Sequence, residues 1–158
     1  MKALKRVLVG IVVLIVAAIV IYFISFVVIC PAINDARANK IEKEFLDLSL
    51  PSQTEVIETF SICHNSSGTG NHVEIWAGFL IKSELPEAEL SKWAETIKLP
   101  YAMYDPMFWK VPEDLSLQYP APHDFIQFKH FNGMTEAKGY YIIGYYFDPV
   151  TQHDIRGH

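Results

Sequence analysis

The strongest constraint on this chain is an uncharged apolar run from Val7 to Ile29, 23 residues interrupted only by Gly10, Tyr22 and Ser25. An α-helix rises about 1.5 Å per residue, so the run spans roughly 34 Å, enough to cross a hydrocarbon core of about 30 Å with some tilt. A helix in a soluble domain is rarely apolar on every side for that length. The run therefore predicts a single transmembrane helix. Residues 30–158 are enough for one compact domain with its own core, and nothing points to a second. The expected division is a basic tip and span over 1–30, a juxtamembrane helix or stalk over 31–50, a folded domain over 51–149 and a polar tail over 150–158.

Charge suggests an orientation. Lys2, Lys5 and Arg6 precede the run, which places the N-terminus in the cytoplasm and the domain outside the cell membrane. Arg37, Lys40 and Lys43 follow it and weaken the asymmetry. Ala36-Arg37-Ala38 has the form of a signal-peptide cleavage site, but the apolar run is longer than the usual region of about 7–15 residues and ends well before that triplet. Cys30 is a poor lipoprotein anchor, because bulky Ile29 precedes it and Pro31 follows. The run reads as an uncleaved signal-anchor. All 18 acids and 10 of the 13 Lys and Arg residues lie after it, a net charge of −8. Such a domain lacks the basic footprint of a nucleic-acid binder. The expected partners are the membrane, through residues 7–29, and an envelope protein or cell-surface partner. The two cysteines, Cys30 and Cys63, are not expected to pair, since Cys30 is held at the bilayer edge.

Beyond the span, Ile33, Ile41, Phe45 and Leu48 recur at helical spacing until Pro51. The helix either extends the span as a stalk after a kink at Pro31 or packs on the domain. Glu55 to His64 and Val73 to Lys82 alternate with period two around a turn-rich Asn65 to Asn71, which reads as a β-hairpin. Placing the apolar residues of both strands on one face pairs Ile62 with Ile75 and Cys63 with Glu74. Ser83 or Glu84 begins a helix running to about Ile97, with Leu90, Trp93, Ala94 and Ile97 buried. Five of the nine prolines fall in Pro100 to His123, an irregular connection rich in aromatic rings. Asp124 to Phe131 and Gly139 to Phe147 read as two further strands, with Asn132-Gly133 starting the turn between them. The second is apolar on both faces and belongs in the middle of a sheet. The expected fold is α+β: a four-stranded antiparallel sheet in the order β-β-α-β-β, with a helix on one face.

Chemistry-bearing residues gather in Cys63-His64-Asn65-Ser66-Ser67-Gly68-Thr69-Gly70-Asn71-His72-Val73-Glu74. Cys63, His72 and Glu74 are ligand types that zinc accepts, and the hairpin register puts all three on one outer face. A fourth ligand is missing and the spacing follows no standard zinc pattern, so no metal or other cofactor is expected. The Asn65, Gly68, Gly70 and Asn71 loop is a candidate binding element. It leads into a strand rather than a helix N-terminus, unlike standard phosphate cradles. Asn65-Ser66-Ser67 also has the N-glycosylation form. Adjacent residues on a strand point to opposite faces, so Cys63 and His64 do not form a catalytic pair. No acid/base pair is evident among the carboxylates. The rings of residues 101–147 serve either as core or as the lining of a groove.

The Ser67-Gly68-Thr69-Gly70-Asn71-His72 segment, followed by Leu80-Ile81-Lys82-Ser83-Glu84-Leu85 and Glu89-Leu90-Ser91-Lys92-Trp93, resembles small uncharacterised membrane-anchored proteins of Gram-positive bacteria. The resemblance covers residues 50–95 and implies a bacterial extracytoplasmic domain. It brings no activity or catalytic residue. The expected role is that of a non-enzymatic binding or interaction domain. One alternative is a membrane-tethered thiol- or metal-dependent hydrolase built on Cys63, His72 and Glu74. Another is a pilin-like subunit, against which stands the lack of processing residues in the span.

Overall fold

A computed structural model describes residues 2–65, 68, 70–116 and 126–158. Its first feature is one helical rod from Lys2 to Phe45. Helix α1, Lys2–Ile24, buries no residue. It passes through a π-helical turn, Ser25–Ile29, into α2, Cys30–Phe45. Pro31 accounts for that turn. Its ring has no N–H and collides with the carbonyl four residues back in a regular helix. Widening the preceding turn, with the Cys30 N–H donating to Ser25 O, puts Pro31 in the first turn of α2, where no donor is needed. The helix therefore continues through the proline and also packs on the domain.

The packed side of α2 carries Cys30, Asn34, Ala38, Ile41 and Phe45. Ile33, expected in that stripe, is 42% exposed, because the wide turn rotates the face presented to the sheet. Ala38 keeps α2 close to strands β1, Thr54–His64, and β2, Glu74–Ser83. Helix α3, Glu87–Thr96, joins the same core and buries Leu90 and Ala94. It begins later than expected because Ser83 ends β2, where its hydroxyl accepts from the Leu85 N–H.

The sheet is antiparallel, in the order β1-β2-β4-β3. Strand β4, Tyr140–Phe147, is central as expected, and every residue but Tyr146 is buried. The fourth strand is not the expected one. It is β3, Met107–Lys110, inside the proline-rich connection, where Pro106 and Pro112 mask a four-residue signal. Asp124 and Phe125 of the expected strand lie outside the described residues. Its remainder is irregular chain and a 3-10 turn, Lys129–Phe131. Ile126 and Phe128 are buried and Gln127 is exposed, so the alternation that suggested a strand is present. It lays the segment across the second face of the sheet instead. The Lys129 and His130 N–H groups donate to the Glu58 carboxylate rather than to a neighbouring strand.

Both sheet faces are thus covered. One core joins α2 and α3 to Ile75, Phe79, Ile143 and Tyr145; the other joins Phe60, Trp76, Leu80 and Ile142 to the chain after β3. This overturns the one-faced hairpin behind the expected register. The expected pairing holds from Thr54 to Val56 and slips by one at a bulge between Val56 and Glu58. Beyond it, Cys63 pairs with Ile75 and His64 with Glu74. With two apolar faces available, the hydrophobic pattern alone does not forbid the slip. At the centre, Gly78 lies opposite Gly144, and a Cβ on Gly144 would come within 2.6 Å of the Trp76 indole nitrogen.

The tail is not a loose polar end. Asp154 is fully buried, and Ile155–Gly157 forms a 3-10 turn. The folded unit therefore includes α2 and the tail, beyond the expected limits of 51–149.

Candidate functional site

The slipped register decides the fate of the Cys63, His72 and Glu74 trio. His72 Nε2 lies 3.1 Å from Glu74 Oε1, so two of the three meet. Cys63, expected opposite Glu74 on the outer face, turns inward beside Ile75, 5% exposed. Burial pushes its thiol up to about 11, with Arg156 opposing more weakly and Asp154 and Asp35 adding to the rise. At neutral pH only about one such thiol in ten thousand is ionised, a poor nucleophile and a poor metal ligand. Among the described residues, no group of three or more His, Cys, Asp or Glu is placed to hold a metal ion.

The turn-rich loop closes on itself. Asn65 Oδ1 accepts from the Gly68 N–H at 3.0 Å, and Asn65 Nδ2 donates to Gly70 O at 3.0 Å. Gly68 and Gly70 have φ of 64° and 68°, which glycine adopts without a Cβ penalty. Asn71 is exposed. Ser66 and Ser67 of the possible glycosylation sequence lie outside the described residues.

A dense polar constellation lies elsewhere, where the tail meets α2. Asn34, fully buried at an otherwise apolar position of the helix, donates to Thr151 O and Asp154 Oδ2, each at 2.9 Å, and accepts from the Thr151 N–H at 3.0 Å. Asp154 Oδ1 accepts from the backbone N–H and the Nε of Arg156, and Oδ2 accepts from its Nη2 at 2.7 Å. The guanidinium also donates to Asp35 and to Pro31 O. Burial alone raises the Asp154 carboxyl, but the hydrogen bonds from Arg156 and Asn34, with the Arg156 charge, outweigh it and hold the group below its ordinary value. Arg156 is correspondingly raised, chiefly by its bond to Asp154. Gln152 Oε1 accepts from the Val73 N–H, and Gly157 fits against the His72 backbone.

Beside this network is a shallow cleft of about 370 Å³ between α2 and the end of β1, lined by Asp35, Asn39, Ser61, Cys63, His64 and Arg156. Further along α2, Glu42 accepts hydrogen bonds from the Thr59 and Ser61 hydroxyls, each at 2.6 Å, which pins β1 to the helix. The cleft presents polar side chains from α2, the end of β1 and the tail. The tail also reaches the exposed apolar helix: the His153 ring lies 4.9 Å from that of Tyr22 and 4.8 Å from that of Phe26, and His158 lies 5.2 Å from Phe26.

Sequence reasoning missed this junction. Its available signals were an asparagine one turn from both Cys30 and Ala38, and an Asp154-Ile155-Arg156 triplet whose charged residues flank one apolar side chain. Comparison with protein-family models, curated proteins and solved structures finds no match.

Proposed function

We propose that this chain is a membrane-anchored protein that displays its α+β domain outside the cytoplasm, N-terminus inside, as a non-enzymatic binding or interaction module for an envelope or cell-surface partner. One observation carries the reading: an exposed apolar helix of spanning length runs without a linker into the core of a folded domain. The inward, protonated Cys63, away from the His72–Glu74 pair, weighs against a thiol-dependent hydrolase. The polar cleft beside Arg156 is the candidate contact site.

Two measurements on the full chain test this. Leu46 is 63% exposed at the far end of α2, so Leu46→Cys should label with a membrane-impermeant maleimide in intact cells. Labelling only after lysis would reverse the orientation. Asn39→Arg in the cleft should abolish capture of a specific partner from native membranes. Capture that the substitution leaves unchanged removes the cleft from the reading, and the absence of any specific partner removes the binding role.

A pilin-like subunit is the second reading. The observation favouring it is the layout of the rod, with an exposed apolar N-terminal half and a C-terminal half packed on an antiparallel sheet. It predicts filaments or ordered oligomers in the membrane, and a strict monomer in detergent and in bilayers eliminates it.

A further inference from the structure

The exposed apolar side chains beyond the span are unevenly placed. Apart from Leu46, those of the described residues are Ile33, Tyr101, Met103, Tyr104, Val150 and Ile155. All six belong to the end of the domain nearest the span. Tyr101 lies under the Arg37 guanidinium, and Arg37 Nε donates to Asp148 O, where β4 leaves the sheet towards the tail. The Met103 N–H donates to Tyr146 O, and the Tyr104 ring meets that of Tyr146. Val150 adjoins Thr151, which is bonded to Asn34, and Ile155 adjoins Arg156, which is bonded to Pro31 O.

The rod provides a scale of height. With Val7 at one boundary of a hydrocarbon core about 30 Å thick, the other boundary falls near Phe26. That is the level of the His153 and His158 rings. Pro31 is about 7 Å higher, within the headgroup layer. Tyrosine and histidine, with an apolar body and a polar tip, suit that layer.

We propose that this end of the domain is seated on the bilayer, with Tyr101, Met103, Tyr104, Val150 and Ile155 facing its headgroup layer. The occupant of the surface is the phospholipid bilayer that holds the span. The inference rests on the membrane-anchored reading and adds a second contact to it. The seated face limits how far the domain tilts about the rod.

The test uses the full chain in liposomes, with an environment-sensitive fluorophore on Tyr104→Cys, Val150→Cys, Leu46→Cys or Val16→Cys. The Tyr104 and Val150 labels should emit to the blue of the Leu46 label, be quenched by lipids carrying a shallow nitroxide, and resist aqueous iodide. Leu46 should show the reverse, and Val16, inside the span, should be quenched by lipid. If the Tyr104 and Val150 labels behave like Leu46 while Val16 is lipid-quenched, the seated face is refuted and the anchor stands. If Val16 is also open to iodide and untouched by lipid, the anchor fails and the inference fails with it.

Discussion

Replacing Arg156 with alanine removes the cation from a carboxylate that has no exposed surface. In the native protein Asp154 accepts three hydrogen bonds from Arg156 and one from Asn34. The variant keeps the Asn34 bond and the backbone N–H of residue 156 but loses both side-chain bonds and the positive charge. Breaking one partner of a buried ion pair costs about 3–5 kcal/mol. The Arg156 side chain is 27% exposed, so water can reach part of the vacated site and the cost falls to or just below the foot of that range, about 2–3 kcal/mol. For a domain of this size that corresponds to a fall in Tm of roughly 6–15 °C. Trp76, Trp93 and Trp109 supply the fluorescence signal for thermal or denaturant unfolding in detergent. The pH dependence gives an independent check. The folded-state pKa of Asp154 is depressed, so its contribution is present above the unfolded carboxylate pKa and is lost as pH falls through the folded value. The native protein should lose this stability below pH of about 4, and Asp154→Asn should show a flatter profile there. Pairing Asp154→Asn with Arg156→Met should recover part of the loss, since no charge is then left buried. An Arg156→Ala protein within about 0.5 kcal/mol of the native one would refute the reasoning, because that is the range of an ordinary surface substitution.

Four further outcomes follow from the packing. Cys30 and Cys63, both buried, should resist alkylation at pH 8 until denaturant is added, as read by intact mass; rapid native-state modification of Cys63 would contradict its burial. Gly144→Ala places a methyl against the Trp76 indole and should cost about 1–3 kcal/mol, with a change in tryptophan emission. Ala38→Leu should cost a similar amount, about 1–3 kcal/mol, while its exposed neighbour Asn39→Leu stays within about 0.5 kcal/mol, and equal effects would misplace the packed face of α2. The Tyr145 hydroxyl is buried without a hydrogen-bond partner among the described residues, so Tyr145→Phe should be neutral or stabilising by up to about 1 kcal/mol in the same unfolding assay, and a marked loss would reveal a bond to that hydroxyl.

The parts of the fold that could be read from sequence were those with a strong local period. The Val7 to Ile29 run, the alternation around the Asn65 to Asn71 turn and the doubly apolar strand ending at Phe147 each carry their structure in nearest-neighbour pattern. The errors arose where a distant element decided the outcome. Met107–Lys110 becomes a strand because β4 offers it an edge. The expected strand around the Ile126, Gln127 and Phe128 alternation does not form; the Lys129 and His130 N–H groups that follow donate to the Glu58 carboxylate rather than to a neighbouring strand. The bulge near Ile57 moved Cys63 from an outer face to the core, and a sheet covered on both sides leaves no hydrophobic penalty to reveal it. The tail read as merely polar because its partner, Asn34, lies 120 positions before Asp154.

The docked tail also bears on fusion design. The tail sits at the foot of the domain, with His158 against Phe26 of the apolar helix, so a reporter inserted into it would be crowded. An epitope there would be shielded, and a bulky fluorescent protein would pry the tail from Asn34. The turn between Leu46 and Gln53, at the opposite end of α2, is the better insertion point for a reporter that leaves the protein as it was.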